Sequence, residues 1–314
     1  MAAIDGYQHL GLPRFQSTDD ALAVMAANGI EKSIVCPFES CPDLEMVHKA
    51  FTDHPTVFRG AGLPLGSDQA EMTAGLVAQF ESGFGGIRLS GGDVAERPWL
   101  LDTIGEHHGF ALVCGSDGLA SGAENLLRYL DSYDDALVVA GHFAGPTDVS
   151  IFETNPAVAR LFAHEKFTVV MSRQGHFPEP LISDWADALV ERVGWTRLLW
   201  GSEAPVLYWR DDSVENALSW FDKFHLDEAT YSALMSDNAD RLVFDRPVAE
   251  PSPLRLPFDP WSFDLHNLVP TWPFGLPMKT ELVGPLVHGW MEWGGTRRGP
   301  LREYLGEILE KQLL

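Results

Sequence analysis

Two imidazoles, a phenol and a carboxylate stand at the ends of apolar runs: Tyr7 and His9 in "AIDGYQH", His142 in "VVAGHFAGP", Glu203 in "LLWGSEAPV". An imidazole beside a carboxylate can take a proton from water, because an ordinary histidine pKa of ~6.5 lies near working pH and a nearby anion raises it. A phenol and a second imidazole can hydrogen-bond to an oxygen that gains charge. Removing such a donor typically costs ~3 kcal/mol of transition-state stabilisation. Arg88 in "GGIRLSGG" can hold a carboxylate in its planar fork. In "MSRQGHFPEP", Arg173 is a candidate second clamp and His176 a further candidate for substrate binding. Residues two apart on a strand point to one side, so Tyr7 and His9 can face one mouth, with Asp5 a step deeper. Each also has a plain structural reading, as core tyrosine, buried histidine or strand-end ion pair.

Something must bring these side chains together. Apolar runs fit strands at 2–9, 32–36, 56–61, 84–88, 109–114, 136–141, 167–171 and 197–200. Helical patterns lie between them, at 18–29, 68–81, 119–132 and 181–192 among others. Before the first, Ser17 or Thr18 can cap, Asp19 and Asp20 suit the first turn, and Gly29 can end it. Most of these strands are apolar on both faces, as buried parallel strands are. Eight such units over residues 1–245 predict an α/β fold, a closed (β/α)8 TIM barrel, whose chemistry gathers at the C-terminal strand ends. "GFGGIRLSGG" has neither the dinucleotide spacing nor a P-loop lysine.

Residues 246–314 change character. A Pro-rich run carries Trp261, Phe263, Trp272 and Phe274, too apolar for a solvated linker. It reads as an extension laid over the barrel or over a second copy in a homodimer, ending in a helix at 299–313 with Leu301, Leu305, Ile308 and Leu309 on one stripe. A formal charge of −23 over 314 residues argues against a nucleic-acid partner. Arg297, Arg298 and Arg302 form only a small basic cluster. No long apolar run predicts a membrane span, and no leader pattern opens the chain. Cys36, Cys41 and Cys114 match no standard zinc spacing, so reduced thiols in the cytoplasm are expected. The expected partner is a small carboxylate substrate, held by a local positive site inside an acidic protein.

The set and its order resemble the amidohydrolase superfamily, in the amidohydrolase-related branch that includes decarboxylases and lactonases of small aromatic or dicarboxylic acids. "IDGYQHLG" resembles its Ile-Asp-x-His-x-His start, "GGIRL" its Gly-x-x-Arg-Leu, and "VVAGHFAGP" its Asp-His-x-Gly-x-Pro. "RLLWGSEAP" resembles Arg-Leu-x-x-Gly-Ser-Asp-x-Pro, and "SDNADRLV" the closing Asn-Ala-x-Arg-Leu helix. The resemblance spans about residues 2–245 and implies the barrel. It also implies a metal site, and here the chain departs. Tyr7 stands at the first histidine of the pair, Gly115 or a neighbour at a fifth-strand histidine, and Glu203 at the eighth-strand aspartate. Lactonases of this branch that work without a metal are known. The expected function is therefore a hydrolase of a lactone or activated ester, without a cofactor, using His142, Glu203, His9 and Tyr7 for catalysis. Arg88, Arg173 and His176 bind the substrate in that reading. One alternative is a lyase or isomerase, with one divalent metal, Zn or Mn, on His9, His142 and Glu203. Another is a non-catalytic barrel used for binding or structure.

Overall fold

The computed structural model describes residues 2–12, 14–39, 41–114, 119–210 and 212–260. Eight parallel strands follow in chain order around one sheet: β1 (Ala3–His9), β2 (Ile30–Cys36), β3 (Phe58–Gly62), β4 (Gly86–Leu89), β5 (Phe110–Cys114), β6 (Leu137–Gly141), β7 (Phe167–Met171) and β8 (Leu198–Trp200). The ring closes just beyond β8, where Glu203 N donates to Tyr7 O at 2.9 Å and His9 N donates to Ala204 O at 2.8 Å. Gly6 permits this seam, since a Cβ there would lie 2.8 Å from Trp200 O. The buried Asp5 carboxylate pins it, accepting from Ser202 N, Ser202 Oγ and Tyr7 N. The expected TIM barrel is the observed fold.

Both faces of the strands are covered, which is why the sequence shows runs rather than alternation. Ile4, Ile34, Phe110, Leu112, Val139 and Leu199 fill the barrel interior. The opposite faces meet helices such as Thr18–Asn28, Gln69–Glu81 and Glu179–Arg192. Ser17, rather than Thr18, caps the first of these by accepting from Asp20 N, and Gly29 ends it in the left-handed conformation. The expected helix over 119–132 begins only at Ala123, after Gly122. The closing segment winds as wide π-helical turns, Ala233–Asp237 and Asp240–Phe244. Asn238 ties it to the foot of β8 by donating to Trp195 O at 2.6 Å and Leu198 O at 2.9 Å.

Residues 246–260 cross the face where the strands begin, then run along the outside of the barrel. Arg246 donates to the carbonyls of His108 and Asp135, Ser252 Oγ to Glu81 O, and Gly75 leaves room for the Phe258 ring. The expectations for Trp261, Phe263, Trp272, Phe274, the helix at 299–313 and a homodimer through them lie outside the described residues, as does Gly115. All three cysteines are buried, and none is in a disulfide. Among the described residues no helix is long and apolar enough to cross a membrane.

Candidate active site

The strand ends converge on one cavity of about 480 Å³. His9, Arg88, His142, Arg173, His176 and Glu203 line it, so six of the seven side chains singled out in the sequence meet there. Tyr7 does not reach the wall. It faces the barrel axis as expected, but lies one strand pitch deeper than His9 and is fully buried. Its ring fits because position 141 is glycine, where a Cβ would come within 2.8 Å of it. From below, the Tyr7 hydroxyl accepts from Arg88 Nε at 3.0 Å, and burial pushes the phenol pKa well above its ordinary value. Tyr7, expected beside the ligand, stands beneath the cavity in contact with Arg88.

Three successive strand ends supply the charged wall. His142, Arg173 and Glu203 all have left-handed backbone, with φ of 56°, 68° and 60°. Such conformations cost of order 1–3 kcal/mol each for non-glycine residues and persist where surroundings impose them. After β6 the left-handed run continues through Phe143 and Ala144 to Gly145, and Trp185 Nε1 holds it by donating to Phe143 O at 2.7 Å. This turn carries the His142 ring inward. Its Nδ1 lies 2.9 Å from Ser172 Oγ, which also accepts from His142 N at 3.1 Å, and its Nε2 lies 3.5 Å from Glu203 Oε1.

Glu203 is 2% exposed, and its charge is engaged. Arg173 Nε sits 2.8 Å from Oε1 and 2.9 Å from Oε2, and Arg210 Nη2 holds Oε2. His142 therefore does not gain basicity from the carboxylate as expected. Burial, then Arg173, His9, Arg88 and Arg210, hold its pKa well below 6.5. Burial and Arg88 do the same to His9. Both rings are neutral at pH 7. Because His9 Nδ1 points at Cys36 O, 3.2 Å away, it carries the proton, and Nε2 is left as an acceptor. In this tautomer Nε2 faces the cavity as an acceptor rather than as the donor expected from the sequence. His176 is exposed at the rim, its pKa lowered by partial burial and by Arg173 and Arg210.

The opposite wall is aromatic. Arg88 lies 4.4 Å from the Phe38 ring centroid and 3.7 Å from Glu39 Oε1. Arg14 packs among Phe15, Phe38 and Trp209, and burial draws its pKa down to about 10. His9 stacks on Phe15, which stacks on Trp209. Arg14, Arg210, Glu39 and Ser172 were not singled out in the sequence. They sit in loops or, for Ser172, just past a strand, with no motif of their own. Alternating cations and aromatics in "LPRF" and "LYWR" were the available signal.

The alternative metal site does not fit these residues. A Zn or Mn ion between His9, His142 and Glu203 would face Arg14, Arg88, Arg173 and Arg210 in the same cavity and would need Glu203 stripped of two guanidinium partners. Among the described residues no three His, Cys, Asp or Glu side chains are grouped to hold a metal.

Barrel, strand-end imidazoles and a carboxylate among arginines define a barrel protein of the amidohydrolase type. The chain belongs to the amidohydrolase family, whose model matches residues 5–244. No curated protein matches the sequence. Solved structures similar to it include a candidate 2-pyrone-4,6-dicarboxylic acid hydrolase from Pseudomonas putida, 22% identical over 76% of this chain and 96% of that one, with a TM-score of 0.59. Another candidate of that activity, from Acinetobacter baumannii with citric acid bound, is 15% identical over 77% and 99%, at 0.60. The 2,6-dihydroxybenzoate decarboxylase from Rhizobium is 14% identical over 77% and 97%, at 0.56. At these identities the likeness is one of fold.

Proposed function

We propose that this protein hydrolyses a lactone or activated ester of a small organic acid without a metal. The observation that carries this reading is the meeting, in one cavity, of the His142–Glu203 contact with four guanidinium groups, Arg14, Arg88, Arg173 and Arg210. Arg88, propped by Tyr7 and backed by Phe38, holds a substrate carboxylate. With His142 Nδ1–H donating to Ser172 Oγ, Nε2 carries the lone pair that meets water. His9 Nε2 accepts that water's other hydrogen and orients it.

In the reaction, water gives a proton to His142 Nε2 and its oxygen bonds to the substrate carbonyl carbon. The tetrahedral carbon then expels the ester oxygen, which takes the proton back from His142. The imidazolium that exists in between is stabilised by Glu203, and charge on the carbonyl oxygen by Arg14 and Arg173. A neutral imidazole of lowered pKa is a modest base, which suits an activated ester or lactone rather than an amide.

The test is hydrolysis of a panel of lactones and aryl esters of aromatic and dicarboxylic acids by protein freed of metal with chelator. The expected outcome is undiminished turnover, with one solvent oxygen entering the ring-opened acid. Activity that tracks one tightly bound metal per chain would reject the scheme. The same groups can move protons in a carbon–carbon cleavage, cyclisation or dehydration, and the fold shared with a decarboxylase favours keeping that second reading. Release of carbon dioxide without solvent oxygen in the product would select decarboxylation.

A further inference from the structure

We propose that Arg210 is a gate on this site: an acid group of the ligand takes Arg210 from Glu203, and only then does Glu203 lend its charge to His142. The inference rests on the hydrolytic reading above, in which a His142 imidazolium must form beside Glu203.

The Glu203 carboxylate serves two cations, with Arg173 Nε spanning both of its oxygens and Arg210 Nη2 on Oε2. It stands 3.5 Å from His142 Nε2, just short of the contact an imidazolium would want. The two arginines are not equivalent. Arg173 Nε meets both Glu203 oxygens, whereas Arg210, at the end of the short turn Val206–Arg210, meets Oε2 alone. Glu203 is closed in at 2% side-chain exposure, while the Arg173 and Arg210 side chains retain 21% and 22%. An anion entering from the mouth can therefore pair with Arg210 without burying new charge, and Arg210 has the single contact to exchange.

The exchange replaces one carboxylate by another on the same guanidinium, so the ion-pair count around Arg210 is preserved. Arg173 still anchors Glu203, and the freed oxygen needs only a short turn to reach His142 Nε2. An equilibrium of this kind moves only as far as the ligand's differential affinity for the two states. The groups facing His142 decide that its basicity will follow: Arg173, Arg88, Arg210 and His9 all oppose its protonation, Ser172 fixes Nδ1, and Glu203 is the one anion close to Nε2. Withdrawing Arg210 removes an opposing cation and releases the supporting anion in the same step. An acid group placed at Arg210 would thus appear in kcat, while the one held by Arg88 appears in KM.

The experiment uses the full chain and dihydrocoumarin, a neutral aryl lactone with no acid group, with and without acetate. Acetate is expected to raise kcat about tenfold, a usual size for coupling between two bound ligands. Arg210→Met should start near the acetate-stimulated value and ignore acetate, and Arg210→Lys, the milder change, should keep a weaker response. Acetate that only inhibits the wild type, or that still stimulates Arg210→Met, would overturn the gate. A crystal structure with malonate gives a readout without turnover. Glu203 turned from Arg210 toward His142 supports the proposal, and Glu203 still paired with Arg210 beneath bound malonate overturns it. Should no lactone be hydrolysed, the hydrolytic reading falls, and the malonate structures of wild type and Arg210→Lys still decide the gate.

Discussion

The two walls of the cavity are built by different means. On the side of β6, β7 and β8, the side chains are charged or neutral-polar, and three of their backbones are left-handed. On the side of β1, β2 and β4, Arg88 and Arg14 lie against aromatic rings, and neither has positive φ. Backbone strain accompanies the groups that must meet within hydrogen-bond distance, while aromatic packing suffices where a cation must face a ligand. Under the proposed hydrolysis, proton transfer falls to one wall and ligand retention to the other.

The sharpest way to break that division is to alter the strained wall. His142→Ala and Glu203→Gln are each expected to lower kcat by about a thousandfold, within the usual span for a general base, with KM little changed. Steady-state kinetics on one lactone would check it, and a loss confined to KM would reverse the assignment. On the aromatic wall, Arg88→Met should raise KM by about a hundredfold with kcat largely kept, as expected for a lost charge-assisted contact. An equal fall in kcat would make Arg88 part of the chemistry. Tyr7→Phe is milder. It leaves the buried Arg88 Nε–H without its acceptor, which costs about 2 kcal/mol, read in the denaturation midpoint, with a modest rise in KM.

The walls also differ in how far the sequence exposed them. His142 and Glu203 were legible because apolar strands such as "LVVAG" of β6 and "LLW" of β8 are followed by a polar group, and the barrel gives strand ends a function. The strands themselves were legible for the same reason, to within two residues at most ends. The partners were not. Arg210 reaches Glu203 by folding of the turn after β8, and Arg14 reaches Phe38 across from the loop after β1. Neither follows a period of 2 or 3.6 residues. Electrostatic consequences were hidden for a related reason: a carboxylate three residues past a strand predicts a more basic histidine, until two arginines from elsewhere claim it. The depth of Tyr7 was equally hidden, since alternation gives a side chain's direction but not the level of the cavity floor.

Buried neutral imidazoles also set how stability depends on pH, and here Asp5 opposes them. His9 and His142 have native pKa values well below 6.5, so below that pH the unfolded chain binds protons that the native state refuses. Each therefore lowers stability as pH falls through 6.5 and onward to its native value. Asp5 goes the other way. Burial raises its pKa from 3.8 to about 6, so between those values the native state holds a proton that the unfolded chain has released. Its contribution rises as pH falls from about 6 to 3.8. Two groups against one leave a net loss whose limit is about 1.4 kcal/mol per pH unit in that interval. Urea unfolding across the interval should show stability declining with acid. Asp5→Asn, which keeps an acceptor oxygen for Ser202 and Tyr7, should roughly double the slope, while His9→Gln should flatten it. A slope untouched by His9→Gln would mean that this ring takes up its proton in the native barrel as readily as in the unfolded chain, and the neutral state assigned to His9 would go with it.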